Sequence, residues 1–89
     1  MNDKTITAVS KIITKWNPLG SGATSIPDLD GYKTEAIDIL FAIEADPNSG
    51  SIAMIVRDVL NQAFDLSLDL KACTQPANEI GILLKKYGH

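Results

Sequence analysis

Apolar residues along the first sixteen positions fall at steps of three and four: Ile6, Val9, Ile13 and Trp16, with Ile12 beside them, while Lys4, Lys11 and Lys15 occupy the opposite side. That period predicts an amphipathic helix over residues 3 to 16. Asn2 or Asp3 suits its N-cap, and Asn17-Pro18 ends it, because the residue before a proline is pushed out of the helical region. Trp16 falls on the last turn. Periodicity then disappears. Leu19 to Gly31 holds Gly20, Ser21, Gly22, Ser25, Pro27, Asp28, Asp30 and Gly31, a turn-forming composition that predicts a loop of about a dozen residues. Leu19, Ile26 and Leu29 are placed to pin that loop to the core, which makes it an anchored connector in preference to a binding loop.

The helical period returns at Thr34. Ala36, Ile37, Leu40, Phe41 and Ile43 mark the apolar positions of a second helix, with Glu35 and Asp38 near its start, where the helix dipole favours acids. Residues 44 to 48, Glu-Ala-Asp-Pro-Asn, end it. A third helix begins at Ser49 or Ser51 and carries Ile52, Ile55, Val56, Val59, Leu60, Ala63 and Phe64, a stripe wide enough to predict a central helix. Leu66, Leu68 and Leu70 alternate with polar residues as in a strand, but a lone strand has no partner to pair with. An irregular segment that turns its leucines inward is therefore expected. The last helix is predicted over 75 to 87, with Pro76 at its first position, Ile80, Leu83, Leu84 and Tyr87 facing the core, and Gly88 after Lys85 and Lys86. The fold class that follows is all-α: one domain over residues 1–89, a small antiparallel bundle of about four helices with a long loop between helices one and two.

Charge adds a surface to this picture. The net charge is −3, which leaves no surplus of Lys and Arg to displace phosphate counterions and argues against direct nucleic-acid binding. Residues 1 to 16 carry Lys4, Lys11 and Lys15 against Asp3, whereas residues 28 to 46 carry Asp28, Asp30, Glu35, Asp38, Glu44 and Asp46 against Lys33. A solvated helix face explains such a bias, as does an acidic patch that steers a basic partner. With one cysteine, Cys73, the chain makes no internal disulfide. Met1 to Lys15 is periodic where a signal peptide would be continuously apolar, and no apolar run approaches the roughly 20 residues of a membrane span. A cytoplasmic protein with no membrane partner is expected.

Candidate chemistry falls on spacing. Asp28-Leu29-Asp30-Gly31 opens like a calcium loop, yet that motif needs an acid at its fifth position, Gly at its sixth and Glu at its twelfth, where this chain has Ile39. Cys73 and His89 are too few for a transition-metal site. The run from Gly20 to Ser25 lacks the Gly-Lys-Ser/Thr ending of a phosphate loop and follows a helix. No internal histidine is present to activate a serine or cysteine. Carboxylate pairs such as Glu35 with Asp38, or Asp28 with Asp30, read more simply as surface acids near a helix start. Cys73 reads as a small buried hydrophobe before it reads as a reactive thiol, and Trp16 as a core seal before an interface anchor. No cofactor, no metal and no catalytic residue is assigned, and the chain is not read as an enzyme.

Trp16-Asn17-Pro18-Leu19, then Tyr32 followed by Thr34-Glu35-Ala36, Asp38-Ile39 and later Asp46-Pro47, resembles the bacterial family called domain of unknown function 1871. That family is small, cytoplasmic and helical, with a Trp-Asp/Asn-Pro element after helix one and a Tyr-x-Thr-Glu-Ala-type start to helix two. The resemblance covers most of the chain and is specific between 16 and 47. This chain departs from it in a longer Gly/Ser/Pro loop, and its C-terminal third matches only in general helical character. The resemblance implies that Trp16, Pro18, Tyr32 and Glu35 sit together where helix one hands over to helix two, and implies no activity.

The functional expectation is a small acidic protein-binding module of the immunity or antitoxin type, which neutralises a toxin such as a basic nuclease domain. Its partner-binding residues are Asp28, Asp30, Tyr32, Glu35, Asp38 and Glu44, with Tyr32 as the aromatic anchor and the acids giving charge complementarity. The alternatives are a regulatory or structural partner within a bacterial complex and, third, a small enzyme or ligand carrier.

Overall fold

The computed structural model describes residues 3–20, 32–45 and 51–86. It contains α1 (Asp3–Trp16), α2 (Lys33–Ala45), α3 (Ile52–Phe64) and α4 (Leu70–Lys86), and no strand among the described residues. The Gly/Ser/Pro stretch 21–31, the segment 46–50 and Tyr87, Gly88 and His89 lie outside the described residues, as do the expectations placed on them.

Each helix packs on two neighbours, α1 on α2 and α4, and α3 on α2 and α4, so the four form a ring with no central member. The wide stripe of α3 therefore serves two neighbours and does not make it the central helix. Contacts at the helix ends give the directions. The Tyr32 hydroxyl at the start of α2 reaches Asn17 just past the end of α1. The Tyr32 ring meets Phe64, the last residue of α3, edge to face. Asn61 of α3 holds Leu68, just before α4. Trp16 at the end of α1 shares a cleft with Ala72 and Pro76 in the first half of α4. Successive helices thus run in opposite directions, as expected from short amphipathic helices joined in sequence.

The core is built from Val9 and Ile13 of α1, Ala36, Ile39 and Leu40 of α2, Val56 and Leu60 of α3, and Cys73, Ile80 and Leu84 of α4, with Tyr32 closing one end. On α2 the buried arc runs through Glu35, Ala36, Ile39 and Leu40. Phe41, expected on the core side, lies about 140° round the helix from Ala36 and is 65% exposed. The apolar residues of α2 almost encircle it, so their spacing does not single out one face.

Helix ends follow local chemistry. α1 stops where Asn17 adopts φ +52 and its N–H bonds the Ile13 carbonyl at 2.7 Å, an αL cap that Asn tolerates well. Ser51 caps α3 by accepting the Met54 N–H at 3.1 Å, and Asp65 ends it in the αL conformation with its N–H on the Asn61 carbonyl. Asp69 accepts the Ala72 N–H at 2.7 Å, so α4 starts at Leu70, well before the expected start near residue 75. Pro76 is consequently inside the helix, where it removes the N–H that would bond the Ala72 carbonyl. Between α3 and α4 the strand-like 65–69 segment is irregular, as expected. Asn61 pairs with both backbone groups of Leu68, donating to its carbonyl at 3.1 Å and accepting from its N–H at 2.9 Å, a side-chain substitute for a β-ladder pair. Leu68 packs against the core and Leu66 is partly exposed, whereas Leu70 begins α4 and is 41% exposed.

Candidate functional site: the α1–α2 junction and the outer face of α2

The junction is organised by Tyr32. It sits one residue before α2 at φ +62, a conformation uncommon for a bulky side chain, and is 1% exposed. Its ring packs against Phe64 with centroids 6.0 Å apart and planes at 88°, a favourable edge-to-face pair. Its hydroxyl donates to Asn17 Oδ1 at 2.8 Å and accepts from the Leu19 N–H at 3.4 Å. The Asn17 amide in turn donates to the Gly20 carbonyl at 3.2 Å. One phenol thus ties the end of α1, the turn after it and the start of α2 to the core. Burial raises the Tyr32 pKa, with a smaller contribution in the same direction from Glu35, so the hydroxyl stays protonated and keeps its donor role.

Glu35 lies one turn further on, buried, with Oε1 lacking a hydrogen-bond partner. Its pKa is raised, first by desolvation and further by Asp38; its own backbone N–H opposes this in part. Trp16 is half-buried against the core edge and faces a cleft of about 190 Å³ between α1 and α4, which Lys15, Pro76 and Glu79 also line. The resemblance placed Trp16, Pro18, Tyr32 and Glu35 together. Tyr32 and Glu35 are adjacent at the junction, and Trp16 turns toward α4.

Two of the six expected partner-binding residues are therefore unsuited to that task. Tyr32 is no aromatic anchor, because its ring is spent in the core and its hydroxyl on the α1 cap. Glu35 is buried and offers no surface charge. Asp28 and Asp30 lie outside the described residues. Asp38 and Glu44 are exposed on α2, and between them, at steps of three residues, stands Phe41. Spacing alone placed Phe41 in the core, and only packing against α1 and α3 shows which arc of α2 faces outward.

Cys73 is fully buried, in the first turns of α4, which begins before it. Its pKa is raised, chiefly by burial, with Asp69 and Asp58 adding to the shift and Arg57 opposing it. A thiol so placed packs as a hydrophobe. Among the described residues no group of three or more His, Cys, Asp or Glu side chains is arranged to hold a metal ion, and no helix is long and apolar enough to cross a membrane.

Comparison with known proteins agrees with the motif at the junction. No curated protein and no solved structure matches the chain. A family model does match, over residues 8–89, which takes in all of α2, α3 and α4 and most of α1. The all-α bundle whose α1–α2 junction is tied by Asn17 and Tyr32 belongs to the family described as Domain of unknown function (DUF1871).

Proposed function

We propose that this protein is a binding module of the immunity or antitoxin type, which engages a basic surface of a toxin domain through the outer face of α2. The observation that carries the reading is Phe41, 65% exposed and flanked at three-residue steps by Asp38 and Glu44. Exposed aromatics are common anchors of binding energy, and flanking carboxylates steer a basic partner and fix its register. Phe41 takes the role that the sequence alone suggested for Tyr32. Cys73, the candidate thiol of the enzyme reading, is a core residue.

The test uses the product of any toxin gene that neighbours this one. Growth rescue by co-expression, and binding to a catalytically dead toxin at two salt concentrations, are the readouts. Phe41→Ala is expected to raise Kd at least tenfold, chiefly through faster dissociation. Asp38→Lys with Glu44→Lys is expected to slow association and flatten its salt dependence. Full rescue and unchanged kinetics in both variants would remove α2 as the binding face.

A further inference from the structure

Proline is the residue least suited to a helix interior, yet Pro76 sits there in α4 and takes away the amide that would bond the Ala72 carbonyl. Ala72 and Pro76 both line the cleft of about 190 Å³ that separates α4 from the end of α1. Helix carbonyls point toward the C-terminus and side chains lean toward the N-terminus. The Ala72 carbonyl and the carboxylate of Glu79, two turns further on in the same lining, therefore aim at one spot over the Pro76 ring. Two acceptors so placed call for a cation that carries several N–H donors.

The opposite lip has the opposite sign. Lys15 of α1 lines the same cleft, and among the described residues neither Lys15 nor Glu79 is in an ion pair, the recorded pair being Arg57 with Asp58. The cleft thus holds two unlike charges apart. Between them the surface is apolar, from Ile12 and Pro76, and the half-buried indole of Trp16 stands at its side. Its volume is below the roughly 300–1,000 Å³ of drug-sized ligand sites, which limits an occupant to about the size of one amino acid.

We propose that this cleft binds a free amino acid with an apolar side chain. The α-ammonium donates to the Ala72 carbonyl and the Glu79 carboxylate, the α-carboxylate accepts from Lys15, and the side chain packs on Trp16, Ile12 and Pro76. A free amino acid carries both charges on one carbon, whereas either end of a peptide carries one. The site is separate from the outer face of α2, which packs on α1 and α3 and not on α4.

Trp16 is the one tryptophan of the chain, so its fluorescence reports occupancy directly. The full-length protein is titrated with L-leucine, with leucinamide, which keeps only the ammonium as a peptide N-terminus does, and with N-acetyl-leucine, which keeps only the carboxylate as a peptide C-terminus does. Expected is a saturable response to leucine at least tenfold tighter than to either analogue, with amide chemical shifts confined to the end of α1 and the first half of α4. Lys15→Gln should weaken leucine at least fivefold and not weaken leucinamide. Glu79→Gln should weaken leucine at least fivefold and not weaken N-acetyl-leucine. Both positions are exposed, and unchanged helical circular dichroism shows that the fold is intact. Pro76→Ala, which returns an amide to the Ala72 carbonyl, should weaken leucine as well. No saturable response to millimolar leucine, equal affinity for all three ligands, shifts on other helices, or leucine binding undiminished by both Lys15→Gln and Glu79→Gln would each overturn the assignment.

Discussion

Gly81→Ala is expected to stabilise the protein, and the size of the effect follows from position and surroundings. Gly81 lies inside α4, five residues from its end, where glycine is less favourable than alanine by about 0.8–1.0 kcal/mol, because the unfolded chain loses more backbone freedom on becoming helical. The added methyl would find Ile52 Cδ1 at 3.5 Å, close enough to pack and far enough to avoid a shift of α3. Gly81 is half-buried, so about half of a buried methyl group's worth, roughly 0.3–0.4 kcal/mol, adds to the helix term. The sum is about 1.2 kcal/mol. An unfolding entropy of about 2.1 cal/mol/K per residue over this chain converts it to a rise in Tm of roughly 6 °C. Thermal melts followed by circular dichroism at 222 nm, with urea titrations to check that the m-value is unchanged, give both numbers. An unchanged or lowered Tm would refute the reasoning, since it would mean that α3 and α4 approach more closely at this point than 3.5 Å allows.

Two other substitutions test the junction. Glu35 is harder to ionise in the folded chain than in the unfolded one, so stability is greatest where the carboxyl is protonated in both states. It falls as pH rises from the ordinary carboxyl range, about 4, through the raised folded value, and is level above that. Glu35→Gln should remove this decline, so urea midpoints of the variant and wild type should diverge as pH rises above the ordinary carboxyl range; parallel profiles would show that the carboxyl is not desolvated. Tyr32→Phe keeps the ring on Phe64 but leaves Asn17 Oδ1 and the Leu19 N–H without the phenol, for an expected loss of about 1 kcal/mol in urea denaturation. A loss below 0.3 kcal/mol, roughly the resolution of such measurements, would mean that water replaces both bonds.

Much of the fold is local and therefore legible from the chain. The three- and four-residue spacing of Ile6, Val9 and Ile13, or of Ile52, Val56 and Leu60, reports a buried arc without reference to anything distant. So do caps such as Ser51. The misreadings share a different origin. Pro76 suits the first position of a helix, but α4 starts earlier because the Asp69 carboxylate accepts the Ala72 N–H and caps it. The spacing of the apolar residues on α2 leaves the buried arc undetermined, and packing against α1 and α3 turns Phe41 outward. Tyr32 reads as an exposed anchor from the chain alone, because its partners, Asn17 and Phe64, lie 15 and 32 residues away. No local pattern encodes such a meeting. The candidate surface was legible in its charge, through Asp38 and Glu44, and not in its aromatic anchor.

Position 32 carries a conflict that no single residue type resolves. Of the three non-glycine residues at positive φ among the described residues, Asn17 and Asp65 belong to the types that tolerate αL, and Tyr32 does not. Backbone geometry there asks for glycine, whereas the space beside Phe64 and the Asn17 amide asks for a large ring with a hydroxyl at its far edge. Tyrosine meets the second demand at the expense of the first. A locally frustrated site of this kind is one that sequence design from propensities would redraw, and one where improving the local fit would empty the core. The tyrosine that opens α2 is thus best understood as a compromise between two scales of structure, and consensus-style stabilisation of this family should leave it alone.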